Sequence, residues 1–214
     1  GYFQLSDPVS KFLPEFKDQK IYVSGSFPSF VTEPVRNPMI IRDLLTHTSG
    51  LSYSINFQSH VDDAYRKIFK ISDPTKALVS DEKVDLEEFS KRIASLPLEF
   101  NPGEQWLYSV SIDICARLIE VISGKTIEDY FQENIFDPLE MEQTGFFVKE
   151  GNLKNLAACY YRDENKKLHV HDPGAEKSRY AKPREFNGGG SGLISTSLDY
   201  FKFLQMLLLS LIHI

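Results

Sequence analysis

The sequence predicts an α+β fold, and two observations carry the prediction. Apolar residues recur at helical spacing over 86–96, 111–123 and 127–136, with one more such run near the end of the chain. Late in the sequence, residues 156–162 and 167–171 flank the turn Asp163-Glu164-Asn165-Lys166 and read as a β-hairpin. A chain of 214 residues that is 42% hydrophobic and 13% aromatic can bury one good core, so it is one domain or part of one.

In chain order, Leu5-Ser6-Asp7-Pro8-Val9 is turn chemistry that starts a short element through Lys11 and Phe12. Residues 24–38 are rich in Ser, Pro and Gly and carry Phe27, Phe30 and Val31, which reads as a surface loop pinned by aromatics. Met39, Ile40, Leu44 and Leu45 share one face of a helix over 39–46, which Thr48-Ser49-Gly50 ends. At that end His47 either satisfies the last carbonyls and complements the helix dipole, or serves as a catalytic base. A polar stretch over 52–85 contains a possible helix at 61–69.

Leu86, Phe89, Ile93 and Leu96 define the next helix, which Pro97 closes. Phe100-Asn101-Pro102-Gly103 is a tight turn expected to aim Trp106 and Tyr108 inward. Ile112, Cys115, Ile119 and Ile122 fall in register on the following helix, with Gly124 placed for a left-handed cap. Another amphipathic helix over 127–136 stops at Asp137-Pro138. After the hairpin, Gly188-Gly189-Gly190-Ser191-Gly192 leads to Thr196 and Asp199, a capping box for a helix through Leu209. The glycine run lacks the Lys and the preceding strand of a phosphate-binding loop, so close backbone packing is the expected reason for it.

A net charge of -6 argues against a nucleic-acid partner, and Lys177, Arg179, Lys182 and Arg184 read as a solvated loop. Cys115 and Cys159 match no metal or redox spacing and are expected as buried free thiols. His169 and His171 alternate on one strand face, as a pair of zinc ligands would, but no third ligand lies nearby and an exposed edge strand is the preferred reading. No metal and no cofactor are expected. No apolar run is long enough to span a bilayer. Because the chain starts at Gly1, its true beginning is expected to lie upstream.

The stretch Gly103-Glu104-Gln105-Trp106-Leu107-Tyr108-Ser109-Val110 sets a phenol beside a hydroxyl at a helix entrance. Such a phenol is a packing corner or a proton-handling group, since Tyr both donates and accepts.

Five segments in order resemble the serine β-lactamase and penicillin-binding-protein superfamily, in its branch of β-lactamase-related serine hydrolases with esterases and D-aminopeptidases. They are LSDPV from Leu5, IRDLLTHTSGL from Ile41, PGEQWLYS from Pro102, IFDPLEM from Ile135 and GGSGLISTSLDYFKFLQML from Gly189. The resemblance implies a β-lactamase/DD-peptidase-like fold, here mainly the helical subdomain plus part of the sheet domain and incomplete, with residues 1–209 a partial domain and 210–214 a non-native or truncated tail. It also implies an S-x-x-K nucleophile, a Tyr motif and a late K-T-G or H-x-G strand.

On that pattern Tyr108 is the general base and acid, and Ser109 and Val110 are substrate-side or supporting residues. The nucleophilic Ser and its Lys are not in this chain, because Ser80-Asp81-Glu82-Lys83 fits only as text, in a charged stretch without an apolar helix face. His213-Ile214 does not replace H-x-G. Val110 occupies the position where β-lactamases and peptidases commonly carry Asn, which shifts the expected substrate toward carboxylic esters. Lactams, D-amino-acid peptides and a non-catalytic scaffold role are the alternatives. The implied partner is a small-molecule ester, lactam or peptide, the 214 residues alone are expected to be inactive, and export to the periplasm or medium follows family habit.

Overall fold

A computed structural model describes residues 1–54, 59–71 and 84–209; the Ser80–Lys83 match and the tail at 210–214 lie outside the described residues. The chain divides into two compact units, Gly1–Ile127 with Gly188–Ser191, and Glu128–Asn187 with Gly192–Ile214.

The first unit opens with short 3-10 turns at Val9–Lys11 and Pro14–Phe16. An antiparallel hairpin of β1 (Lys20–Ser26) and β2 (Ser29–Pro34) follows, where the composition had suggested a loop. The breakers are the turn itself, Ser26 to Ser29 around a cis Phe27-Pro28 bond, while Ile21, Val23, Val31 and Thr32 supply the β-branched flanks. Helix α1 is short, Ile41–Leu45. It buries Met39, Ile41 and Leu44, whereas Leu45, expected on the same face, is 50% exposed.

Helix α2 (His60–Ile68) starts at Ser59, whose hydroxyl accepts the Asp62 N–H, and α3 (Leu86–Ala94) starts at Asp85, which accepts the Glu88 N–H at 2.8 Å. Caps of this kind contribute about 1 kcal/mol each. On α3 the predicted stripe of Leu86, Phe89 and Ile93 is buried, and each such side chain contributes about 1.5–3 kcal/mol. Helix α4 (Ser111–Ser123) packs against α1 and α3, and Arg117 ties it to Glu87 of α3 at 2.7 Å.

The most deeply buried face of α4 is set by Ser111, Ile114 and Leu118 rather than by the Ile112, Cys115, Ile119 and Ile122 register. That register is half-buried because a helix apolar on most of its circumference does not declare which side meets the core. Gly124 takes the left-handed cap at φ 71°. The returning Gly188–Ser191 segment lies on α4: a Cβ on Gly189 would meet Ile112 O at 2.2 Å, so only glycine allows the approach. Close packing is thus what the glycine run achieves, and the Gly190 N–H donates to Asp113 Oδ1 at 3.0 Å.

The second unit begins in helix α5 (Ile127–Phe131), which widens into a π-helical turn at Gln132–Phe136 before Asp137-Pro138. Its core is Phe136, Leu139, Met141 and Met206, with Phe131, Ile135 and Phe203 packed alongside. The late hairpin forms as predicted, from β3 (Cys159–Arg162) and β4 (Leu168–Asp172), and Lys166 takes a positive φ in the turn. Cys159, expected inside, is exposed. His169 and His171 both meet the Tyr161 ring, and His169 Nε2 pairs with Asp163 Oδ2 at 2.8 Å. Helix α6 (Ser197–Leu208) is capped by Thr196, which accepts the Asp199 N–H. The Asp199 carboxylate does not return the bond as a capping box would; it accepts the Gln143 N–H at 2.8 Å and the Thr144 hydroxyl at 2.9 Å.

Candidate active site

Two chain segments in the first unit form the site. The stretch after α1, His47 to Ser52, runs beside Gly103 to Val110, joined by N–H donation from Gly103 to Thr48 O, from Leu107 to His47 O and from Val110 to Ser52 O, at 2.8, 2.9 and 3.1 Å. The seam is tight at Gly50, whose φ is 81° and where a Cβ would lie 2.4 Å from Phe100 O. In return the Glu99 N–H donates to Gly50 O at 2.8 Å.

Side chains alternate across this seam. His47 faces Ser109 and Ser49 faces Ser111, so two pairs spaced two residues apart meet each other. The result is a buried hydroxyl chain, with Ser49 Oγ 2.8 Å from Ser111 Oγ and Ser111 Oγ 2.7 Å from Ser109 Oγ. Ser109 Oγ lies 3.2 Å from His47 Nδ1, and the Ser109 N–H donates to the same nitrogen at 3.3 Å. Burial pushes the His47 imidazole below its ordinary value.

Trp106 and Tyr108 do not turn inward as the sequence suggested: Trp106 is 67% and Tyr108 43% exposed. Alternation over 106–109 explains this, since Leu107 and Ser109 take the inner side and leave Trp106 and Tyr108 outside. The Tyr108 ring contacts that of His47, with centroids 4.7 Å apart, and that of Tyr53 at 5.3 Å, while Trp106 meets His47 edge-on at 6.4 Å. Ser109 is 2% and Val110 1% exposed, so both side chains are buried. His47 does not bond the carbonyls of α1 through its ring; it sits just beyond the helix at φ 55°, with the imidazole turned to the Tyr loop.

Asp113, in the first turn of α4, was not anticipated. Burial pushes its carboxyl up, against the Gly190 and Gly189 N–H groups that stabilise the anion. Tyr53 is raised too, by burial and then by the charges of Asp113 and Tyr108. Trp106 and Leu107 also line a cavity of about 280 Å³ whose polar walls include Ser52, Asp62 and Glu99. Burial raises the Glu99 carboxyl. Among the described residues no group of three or more His, Cys, Asp and Glu side chains is arranged to hold a metal ion. What the site offers chemically is a half-exposed phenol, its ring in contact with those of His47 and Tyr53, next to a buried network of hydroxyls.

The family model described as Beta-lactamase matches residues 1–212. The chain belongs to this family. Protein Rv1367c of Mycobacterium tuberculosis is 30% identical over 97% of the chain and 48% of its own length. Esterase EstB of Burkholderia gladioli is 28% identical over 96% of the chain and 50% of its length. Both esterases and acyltransferases stand among the relatives. Among solved structures, EstCE1, a hydrolase with promiscuous acyltransferase activity, superposes with a TM-score of 0.73 at 23% identity over 96% of the chain and 52% of its own. The fold is therefore β-lactamase/DD-peptidase-like, and the chain spans about half the length of the curated relatives it matches.

Proposed function

We propose that this chain carries the tyrosine part of a serine hydrolase site that cleaves carboxylic esters through an acyl-enzyme. The carrying observation is the half-exposed Tyr108 phenol, its ring in contact with those of His47 and Tyr53 and the two residues that follow it, Ser109 and Val110, buried. A phenol so held needs no reorganisation to take or return a proton. In the proposed cycle the Tyr108 oxygen, its own proton passed to the lysine amine, accepts the proton of a serine hydroxyl as that oxygen adds to the ester carbonyl, returns it to the departing alkoxide, and recovers its own from the lysine. Water, activated the same way, then releases the acid. The serine and its lysine are assigned to parts of the protein outside these 214 residues.

Val110 supports esters over lactams and peptides, because its apolar side chain is buried and supplies no amide to bind a substrate amide. Acyl transfer to an alcohol would use the same intermediate, and relatives named as acyltransferases make the acceptor worth assaying.

The test uses the full-length protein that contains this segment, assayed on a p-nitrophenyl ester and a chromogenic cephalosporin. Ester turnover is expected, with Tyr108→Phe lowering kcat by about 100- to 10,000-fold. Cephalosporin turnover without ester cleavage would overturn the substrate class; an unaffected Tyr108→Phe enzyme would overturn the role of the phenol. The 214 residues alone are expected to take up no fluorophosphonate probe, since losing one member of a cooperating catalytic set removes most of the rate advantage. Labelling of a serine within them would refute that.

A further inference from the structure

We propose that His47 is the positioning residue for Tyr108 and acts only as the neutral imidazole carrying its proton on Nε2, so that protonating it on Nδ1 releases the Tyr108 loop. This rests on the assignment of Tyr108 as proton shuttle.

The tautomer follows from the geometry. A backbone N–H only donates, and the Ser109 N–H points at His47 Nδ1 from 3.3 Å, so Nδ1 must present its lone pair. The Ser109 hydroxyl, 3.2 Å away, is linked through Ser111 to Ser49, which already accepts the Leu51 N–H at 3.2 Å. That chain can pass its hydrogens toward Nδ1 and so favours the same state. The bond fixes the peptide that joins Tyr108 to Ser109, and the imidazole face lies against the Tyr108 ring. One side chain thus holds both the backbone and the ring of the phenol-bearing residue.

A proton on Nδ1 would oppose donor to donor at Ser109. The titratable and charged groups on the surrounding elements are Arg42 and Asp43 of α1, Tyr53, Glu104, Tyr108, and Asp113, Arg117 and Glu120 of α4, of which the last two pair with each other at 3.1 Å. Asp43 accepts the Ile40 N–H and the Thr48 hydroxyl, Glu104 pairs with Arg36, and Asp113 accepts the Gly190 N–H. Among the described residues, none of these carboxylates bonds the imidazole, so nothing offsets the loss of the Ser109 bond. Burial lowers the His47 value accordingly.

The linkage has a definite sign. Unfolded His47 titrates near 6.5 and the folded residue lower. Between the two the unfolded chain binds the extra proton, so the contribution to stability is complete above 6.5 and declines as pH falls below it.

Two variants separate the roles. His47→Asn keeps an acceptor for the Ser109 N–H, tolerates the left-handed backbone and does not titrate. His47→Phe keeps a ring against Tyr108 but offers no acceptor. In the 214-residue chain, long-range ¹H–¹⁵N spectra are expected to show the Nε2–H tautomer for the signal that disappears in His47→Asn. Emission of Trp106, the only Trp in these residues, should titrate below pH 6.5 in the parent chain and in Tyr108→Phe, but not in His47→Asn.

In the full-length enzyme, His47→Phe should lower kcat about 100-fold with little change in KM, as a misplaced catalytic group does, and His47→Asn should restore most of it while removing the acid limb that His47 imposes. An Nδ1–H tautomer, or an acid limb unchanged in His47→Asn, would overturn the proposal. If Tyr108→Phe is fully active while the tautomer and the Trp106 titration are as expected, the Tyr108 assignment fails and the local geometry of His47 stands.

Discussion

Replacing Gly50 by alanine tests the seam that builds the site, and Gly124→Ala supplies its control. Both glycines are left-handed, at φ 81° and 71°, so both substitutions incur the cost of an L side chain in that region, about 1–2 kcal/mol. They differ in surroundings. A Cβ at 50 would lie 2.4 Å from Phe100 O and 3.1 Å from Leu98 Cβ, whereas a Cβ at 124 meets nothing within 4 Å. Relieving the first contact means moving the Phe100 backbone, which also strains the Glu99 N–H bond to Gly50 O. Forced overpacking of this sort adds about 1–3 kcal/mol.

Gly50→Ala should therefore cost about 3.5 kcal/mol, or about 7–14 °C in thermal midpoint for a chain of this size, against about 1.5 kcal/mol and about 3–6 °C for Gly124→Ala. Far-ultraviolet circular dichroism during heating reads both. Equal shifts in the two variants would mean that backbone conformation alone matters at Gly50, and the close seam between His47–Ser52 and Phe100–Val110 would be wrong.

Other outcomes are expected from the same geometry. Ser111→Ala removes the middle hydroxyl of the chain between Ser49 and Ser109 and leaves two buried hydroxyls each short of a partner. It should destabilise by about 1–3 kcal/mol in urea unfolding, and a neutral result would show that the hydroxyls find other partners. The two cysteines should differ in reactivity toward an aromatic disulfide reagent at pH 8. Cys159 is exposed and should react in the folded chain, whereas the Cys115 thiol, pushed up to about 12 by burial and the Asp113 charge, should react only after denaturation. Fast reaction of both in the folded state would contradict the packing of α4.

Helices whose apolar residues lie on one stripe were legible, as Leu86, Phe89 and Ile93 show, and so was the late hairpin, whose four polar turn residues separate apolar runs. The first hairpin was not legible because Gly25, Ser26, Pro28 and Ser29 give its turn the composition of a loop. Tyr108 stood out because of its motif, but its orientation depends on pairing with His47–Ser52 from more than fifty residues away in the chain, which no local period records. For His47 local helix chemistry suggested a capping role, yet the tertiary partner at Ser109 claims its ring.

The return of Gly188–Ser191 to the first unit bears on how the molecule can be dissected. A segment ending at Ile127 would hold every helix from α1 to α4 but would lack the glycines that lie on Ile112 and supply an N–H to Asp113. The acid would keep its buried place and lose that donor, a costly state for a carboxylate. The first unit is thus completed by four residues made late in synthesis, so an emerging chain has finished α4 well before the acid at its start is satisfied.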